Sequence, residues 1–96
     1  MRLNPSPSRF FIKHSEIFEA GIDQLLRRHP LIGEALDDLE DALLKVPYSE
    51  GEPTPVFEGR HFRIRLSPKT RRYPALRVLY EIEEPRVVCW HICERH

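Results

Sequence analysis

The repeat of apolar residues along the chain changes once, and this change constrains the fold more than any other feature. Between Ser15 and Pro47, apolar residues recur every three or four positions, which is the spacing of one face of a helix. After Arg60 they recur at every second position, as in a strand with one covered face. The sequence therefore predicts helices in the first half of the chain and a sheet in the second half.

Two amphipathic helices are predicted in the first half. One follows Ser15, whose hydroxyl suits an N-cap, and ends before Pro30. The other runs from Pro30 to Pro47, with most of its acidic residues opposite the apolar stripe. A short strand, RFFIKH, is predicted before both helices. Residues 1–8 read as a flexible lead-in, because they carry two prolines, and residues 9–96 are expected to form a single domain.

Three strands are predicted after residue 60, in the segments RHFRIRL, ALRVLYEI and VVCWHIC. Three consecutive strands of this kind are expected to form an antiparallel meander with one face covered by the helices. The predicted fold class is therefore α+β, with an N-terminal strand and a two-helix hairpin packed on one face of a small antiparallel sheet.

Alternation along these strands assigns their side chains to the two faces of the sheet. The side chains expected to point toward the helices are Phe62, Ile64, Leu66, Val78, Tyr80, Ile82, Val88, Trp90 and Ile92. The open face would then gather the basic residues Arg63, Arg65, Arg77 and His91, with Arg95 and His96 at its end. Such a face is either solvated surface or a site for an anion, because the arginine guanidinium presents a rigid set of donors that matches phosphate.

The charge balance bears on which partners this face can serve. The 15 Lys and Arg residues equal the 15 Asp and Glu residues, which excludes a protein whose whole surface is basic. From Gly59 onward, however, nine Lys and Arg residues stand against four acids. No apolar run is long enough to span a membrane and no signal peptide is recognisable. We therefore expect a cytoplasmic protein with a locally basic surface.

The chain ends in CWHICERH, which raises the question of a metal site. Cys89, His91 and Cys93 are expected to share the open face. Alternate residues of one strand lie about 7 Å apart, however, which is too far for three ligands to converge on one ion. We therefore expect no metal and no cofactor, and we expect two reduced cysteines without a disulfide.

The ordered set of elements resembles the RelE/ParE superfamily of bacterial type II toxins. The resemblance runs from Arg9 to the end of the chain and rests on the RIR strand, the RVLY strand and their spacing to the basic C-terminus. It implies a RelE-like toxin fold and a toxin that a cognate antitoxin neutralises. RelE-type members cleave messenger RNA on the ribosome without a metal, whereas ParE-type members poison DNA gyrase.

The resemblance also implies roles for individual residues. Arg77 would stabilise the phosphate in the transition state, His96 would be the acid or base, and Arg65 would complete the catalytic set. RNA-binding roles would fall to Arg63, Arg95, His91 and Arg60. Thr54 stands where some ribonuclease members carry a carboxylate. Four interpretations therefore remain open, namely an mRNA endoribonuclease, a gyrase poison, a toxin-fold protein that acts only by binding, and an unrelated α+β domain with an interaction role.

Overall fold

The computed structural model describes residues 10–45, 52–53 and 59–95, and only the backbone of residues 52–53. The predicted lead-in, residues 1–8, lies outside these ranges. The elements follow one another as β1 (Phe11–His14), α1 (Glu16–Arg28), α2 (Gly33–Lys45), β2 (Glu52–Pro53), β3 (Arg63–Ser67), β4 (Leu76–Glu83) and β5 (Arg86–Glu94). The strands form one sheet in the order β1-β5-β4-β3-β2. The α+β class predicted from the sequence is confirmed.

The sheet is mixed, whereas the sequence predicted an antiparallel sheet. The consecutive strands β3, β4 and β5 do pair antiparallel. β1, however, pairs with β5 in parallel, from Phe11 opposite Arg86 to His14 opposite Cys89. Parallel neighbours require a crossover connection, and here both helices and the other three strands lie between β1 and β5 along the chain. The side-chain pattern of a four-residue strand holds no information about the direction of its partner strand. The parallel pairing of β1 with β5 could therefore not be predicted from the sequence.

Ser15 fixes the start of α1 and ties it to β5. Its hydroxyl oxygen accepts a hydrogen bond from the Phe18 N–H at 3.0 Å, which confirms the predicted N-cap. The same hydroxyl donates to the Trp90 carbonyl oxygen at 2.9 Å, and the Ser15 N–H donates to the Cys89 carbonyl oxygen at 3.0 Å. One residue therefore caps the helix and sets its position on the last strand.

The boundary between the helices differs slightly from the prediction. α1 ends at Arg28, ahead of Pro30, as expected. α2 begins only at Gly33, because residues 30–32 form a turn in which the Ile32 N–H donates to the His29 carbonyl oxygen at 2.9 Å. Pro30 therefore lies in the connection and not in the first turn of α2.

Both helices pack on one face of the sheet and form a single core with it. The buried residues of this core are Phe18, Leu25, Ile32, Leu36, Leu39, Leu43, Leu76, Val78, Tyr80, Val87, Cys89 and Ile92. Gly21 allows α1 to approach β5 closely, since a Cβ at this position would lie 2.9 Å from Ile92 Cγ2 and 3.0 Å from the Ile92 carbonyl oxygen. His14 joins β1 to α2 through a 2.7 Å contact between its Nε2 and Glu40 Oε2. The other face of the sheet carries no helix in the described part of the chain, and we call it the open face.

Candidate functional site

Arg77 and His91 lie next to each other on the open face. In the ladder between β4 and β5, Arg77 pairs with Cys93 and Leu79 pairs with His91, so all four side chains share one face. Arg77 Nη2 donates to Cys93 Sγ at 3.7 Å, and the arginine remains exposed, as does His91. Diagonal neighbours in such a ladder lie about 7–8 Å apart. A guanidinium and an imidazole at this spacing can both reach a single phosphodiester group.

Arg95 lies at the end of the same strand pair. Its N–H donates to the Ala75 carbonyl oxygen at 2.8 Å, which extends the ladder one residue past β5, and its side chain is exposed. Within residues 10–45 and 59–95, the side chains of Arg77, His91 and Arg95 form no ion pair with a carboxylate. Their donors are therefore available to an anionic ligand, as the sequence predicted for these three residues.

A cleft opens beside His91, between α1 and the C-terminal end of β5. Its volume is about 380 Å³, and its walls include Gln24, Arg28, His91, Cys93 and Glu94. Arg28 forms a short ion pair with Glu94, and His29 Nε2 lies 3.4 Å from the same carboxylate. Although desolvation alone would raise the pKa of Glu94, these two partners outweigh it, and the pKa lies below its usual value. The one acid in this cleft is therefore neutralised by its neighbours, so that it opposes an anion only weakly.

Arg60 occupies the other half of the open face and is held by its neighbours. Its Nε and Nη2 both donate to the Glu81 carboxylate, and its guanidinium carbon lies 4.9 Å from the centroid of the Trp90 ring. The hydrogen bonds from Arg60 are the main reason why the pKa of Glu81 lies below its usual value. Arg60 was predicted to bind RNA, and the structure places it about four residues along the strands from Arg77, with its guanidinium already paired.

Arg63 and Arg65 do not share the open face, and this part of the prediction is wrong. The ladder between β3 and β4 places Arg63 opposite Tyr80 and Arg65 opposite Val78, both of which are buried beneath the helices. Arg65 is only 7% exposed. Burial raises the pKa of Tyr80, and the two arginines beside it partly offset this effect, with Arg65 hydrogen-bonded to the hydroxyl. Ile64 and Leu66, which were predicted to face the helices, lie on the open face instead.

A β-bulge in β5 reverses a second part of the prediction. Leu79 pairs with His91 but Tyr80 pairs with Cys89, so Trp90 is the extra residue of the bulge. Cys89 is consequently buried in the core, although it was expected outside. Trp90 donates its indole N–H to Glu81 on the open face, although it was expected inside. Burial raises the pKa of the Cys89 thiol to about 12, which makes it a poor nucleophile.

The remaining predictions concern residues outside the described ranges, the state of the cysteines, metal binding and membrane spans. His96 and Thr54 belong to the parts of the chain that are not described. Cys89 and Cys93 are both free thiols. In the described ranges, no three His, Cys, Asp or Glu side chains are grouped so that they could hold a metal ion. No helix in these ranges is both long and apolar enough to cross a membrane.

Comparisons with known proteins do not add to this description. Neither the models of protein families, nor the curated proteins, nor the solved structures include a match to this chain. The functional interpretation therefore depends on the geometry of the open face and on the resemblance noted in the sequence.

Proposed function

We propose that the protein is the toxin of a type II toxin–antitoxin system with a RelE-like fold, and that it cleaves messenger RNA on the ribosome. The observation that carries this proposal is the exposed pair of Arg77 and His91 on the open face, with no carboxylate partner in the described part of the chain. Its partners are the ribosome with its mRNA and a cognate antitoxin, and its location is the cytoplasm.

The proposed reaction is a transesterification within the RNA chain. The ribose 2′-oxygen attacks the adjacent phosphorus, a bond forms between them, and the bond to the 5′-oxygen of the next nucleotide breaks. The products are a 2′,3′-cyclic phosphate and a free 5′-hydroxyl. A base must take the 2′-proton, an acid must protonate the departing oxygen, and a cation must offset the charge that develops on phosphorus.

The described residues can be assigned to these roles. Arg77 stabilises the developing charge, since its guanidinium stays protonated and cannot itself act as a base. His91 lies beside it in the ladder, and its imidazole nitrogens can accept or donate a proton. His96, outside the described residues, is the second group proposed for proton transfer. Arg95 orients the RNA backbone at the end of the strand pair. Arg65 is left out of this set because it lies beneath the helices.

A second candidate is a toxin that binds a protein target such as DNA gyrase. One observation favours it, namely that Ile64 and Leu66 lie on the open face where Arg63 and Arg65 were expected, next to the apolar Leu79. A face that combines apolar residues with cations suits a protein partner as well as RNA.

The two candidates are separated by adding the purified protein to a cell-free translation reaction with one defined message. Primer extension then locates any cut. The proposal predicts cuts that appear only while the message is being translated. An intact message, together with inhibited DNA supercoiling by purified gyrase, would replace the first candidate with the second.

A further inference from the structure

Two hollows flank Trp90 on the part of the open face nearest β1. One has a volume of about 440 Å³ and includes Ile17 among its walls, and the other has a volume of about 340 Å³ and includes Arg60. Lys13, Val88 and Trp90 line both of them. Trp90 therefore stands between two spaces that are each open to a ligand, with a lysine common to both.

The indole ring of Trp90 is held at two points. Its Nε1 donates to Glu81 Oε1 at 3.1 Å, and the Arg60 guanidinium that lies over the ring is bonded to the same carboxylate. The bulge directs the side chain to the open face, and the Trp90 carbonyl is fixed by Ser15. A ring that is already fixed in this way loses little conformational freedom when a second flat group stacks on it or on the guanidinium beside it.

Positive charge lies on both sides of the ring. Lys13 is exposed and makes no ion pair within the described ranges, and Arg86 is exposed and bonded only to the exposed Glu83, at 3.3 Å. An exposed pair of this kind contributes little and can exchange its partner for a phosphate. Each hollow also includes one exposed carboxylate, Glu16 or Glu83. These acids disfavour a phosphate inside either hollow. Lys13 lies between the two hollows and favours a phosphate at their border.

We propose that Trp90 is a stacking platform for an unpaired base of the RNA, with Lys13 and Arg86 contacting the phosphates on either side of that base. Stacking on an aromatic ring or an arginine plane, combined with backbone contacts from basic residues, is the general mode of single-strand recognition. Glu81, which holds the ring, lies four residues along β4 from Arg77, or about 13 Å. The platform therefore lies within reach of the same RNA strand as the Arg77–His91 pair. This inference rests on the proposed function.

The chain itself supplies the reporter, since Trp90 is its one tryptophan. The protein is titrated with hexauridylate and hexaadenylate carrying 2′-O-methyl groups, which cannot be cleaved, while the emission of Trp90 is followed. Saturable quenching by both oligonucleotides is expected. Lys13→Gln and Arg86→Gln should each weaken binding. Each should also make the negative slope of the logarithm of the binding constant against the logarithm of the salt concentration shallower by about 0.7. The matched control Lys69→Gln, on the exposed turn between β3 and β4, should leave both quantities unchanged.

A second readout does not depend on the fluorescence of Trp90. With a labelled oligonucleotide followed by anisotropy, Trp90→Ala should weaken binding by about fivefold to 150-fold, and Trp90→Phe should lose much less. If Trp90→Ala does not fold, the Lys13 and Arg86 variants still decide the question. Unchanged affinity in the folded Trp90→Ala variant, or quenching by hexaglutamate and not by RNA, would overturn the inference.

Failure of the platform and failure of the proposed nuclease activity give different results. Quenching by RNA together with an intact message in the translation assay would keep the platform and reject the endoribonuclease. Translation-dependent cuts that persist at the wild-type rate in Trp90→Ala would reject the platform and keep the endoribonuclease.

Discussion

Arg65 and Arg77 lie on opposite faces of the same sheet. Leu66 is the cross-strand partner of Arg77, so Arg65, its neighbour in sequence, points to the other side, where it is opposite Val78. Arg65 is buried beside the Tyr80 hydroxyl, whereas Arg77 is exposed beside Cys93. The resemblance implied one catalytic set for these two arginines. Their environments differ, however, and we expect different roles for them.

Replacing each of these arginines by alanine should separate stability from function. Arg65→Ala removes a buried charged hydrogen bond and part of the packing beneath α2, so the free energy of unfolding should fall by about 2–3 kcal/mol. Arg77→Ala removes an exposed side chain and should change it by no more than about 0.5 kcal/mol. Urea denaturation followed by circular dichroism measures both. Equal losses in the two variants would contradict the placement of Arg65 and Arg77 on opposite faces.

Gly21→Ala should destabilise the protein even though alanine favours a helix. The added methyl group would lie 2.9 Å from Ile92 Cγ2, and such overpacking costs about 1–3 kcal/mol against a gain in helix propensity of about 1 kcal/mol. The net expectation is a loss of up to about 2 kcal/mol in urea denaturation. Gly33→Ala is the matched control, since nothing lies within 4 Å of its added Cβ. This variant should be neutral or slightly more stable.

Stability should depend on pH through Glu81. Its pKa in the folded protein lies below the ordinary value of 4.5, chiefly because Arg60 donates hydrogen bonds to the ionised carboxylate. The stabilisation is therefore complete above the ordinary pKa and is lost as the pH falls through the folded-state pKa. The difference in unfolding free energy between wild type and Glu81→Gln should be largest near neutral pH and shrink below about pH 4. A difference that grows toward low pH would contradict this assignment.

The two cysteines should differ in reactivity. With a pKa of about 12, Cys89 is thiolate in only about one molecule in ten thousand at pH 8, and it is also buried. Cys93 is half-buried at the edge of the open face. Treatment of the native protein with iodoacetamide, followed by mass spectrometry, should show label on Cys93 and none on Cys89. Cys89 should react once a denaturant is added, and labelling of Cys89 at the same rate in the native state would place it outside the core.

The sequence predicted the class and the order of the elements other than β2, because both depend on the hydrophobic period. The change of period between Pro47 and Arg60 located the helices and the antiparallel meander, and Ser15 and Pro30 marked the limits of α1. The face of each strand was predicted less well. One extra residue in a strand or a turn moves all following side chains to the other face of the sheet. No sequence pattern indicates the bulge at Trp90 or the register in which β3 and β4 pair across the turn at residues 68–75.

In the candidate site, too, some side chains were assigned to the correct face and others were not. Arg77 and His91 were predicted on the open face and lie there, because the single bulge, at Trp90, precedes His91 and Cys93, so the phase after it matches the predicted one. Arg63 and Arg65 were assigned to the wrong face because the apolar residues of β3 were expected to face the helices. Trp90 was assigned to the core because strict alternation was carried across the bulge. The ion pairs of Arg60 with Glu81 and of Arg28 with Glu94 join residues 21 and 66 positions apart in the sequence, and only the folded chain shows them.

The most direct test of the account is the rate of translation-dependent mRNA cleavage by the Arg77→Ala variant. Wild type, Arg77→Ala and the matched control Arg71→Ala, on the exposed turn between β3 and β4, are added at equal concentration to a cell-free translation of one message, and the cut fraction is followed by primer extension. We expect Arg71→Ala to cleave at the wild-type rate and Arg77→Ala to be slower by at least about 100-fold, the usual cost of losing one charge-stabilising donor. Cleavage by Arg77→Ala at the wild-type rate, with its fold intact by circular dichroism, would contradict the account.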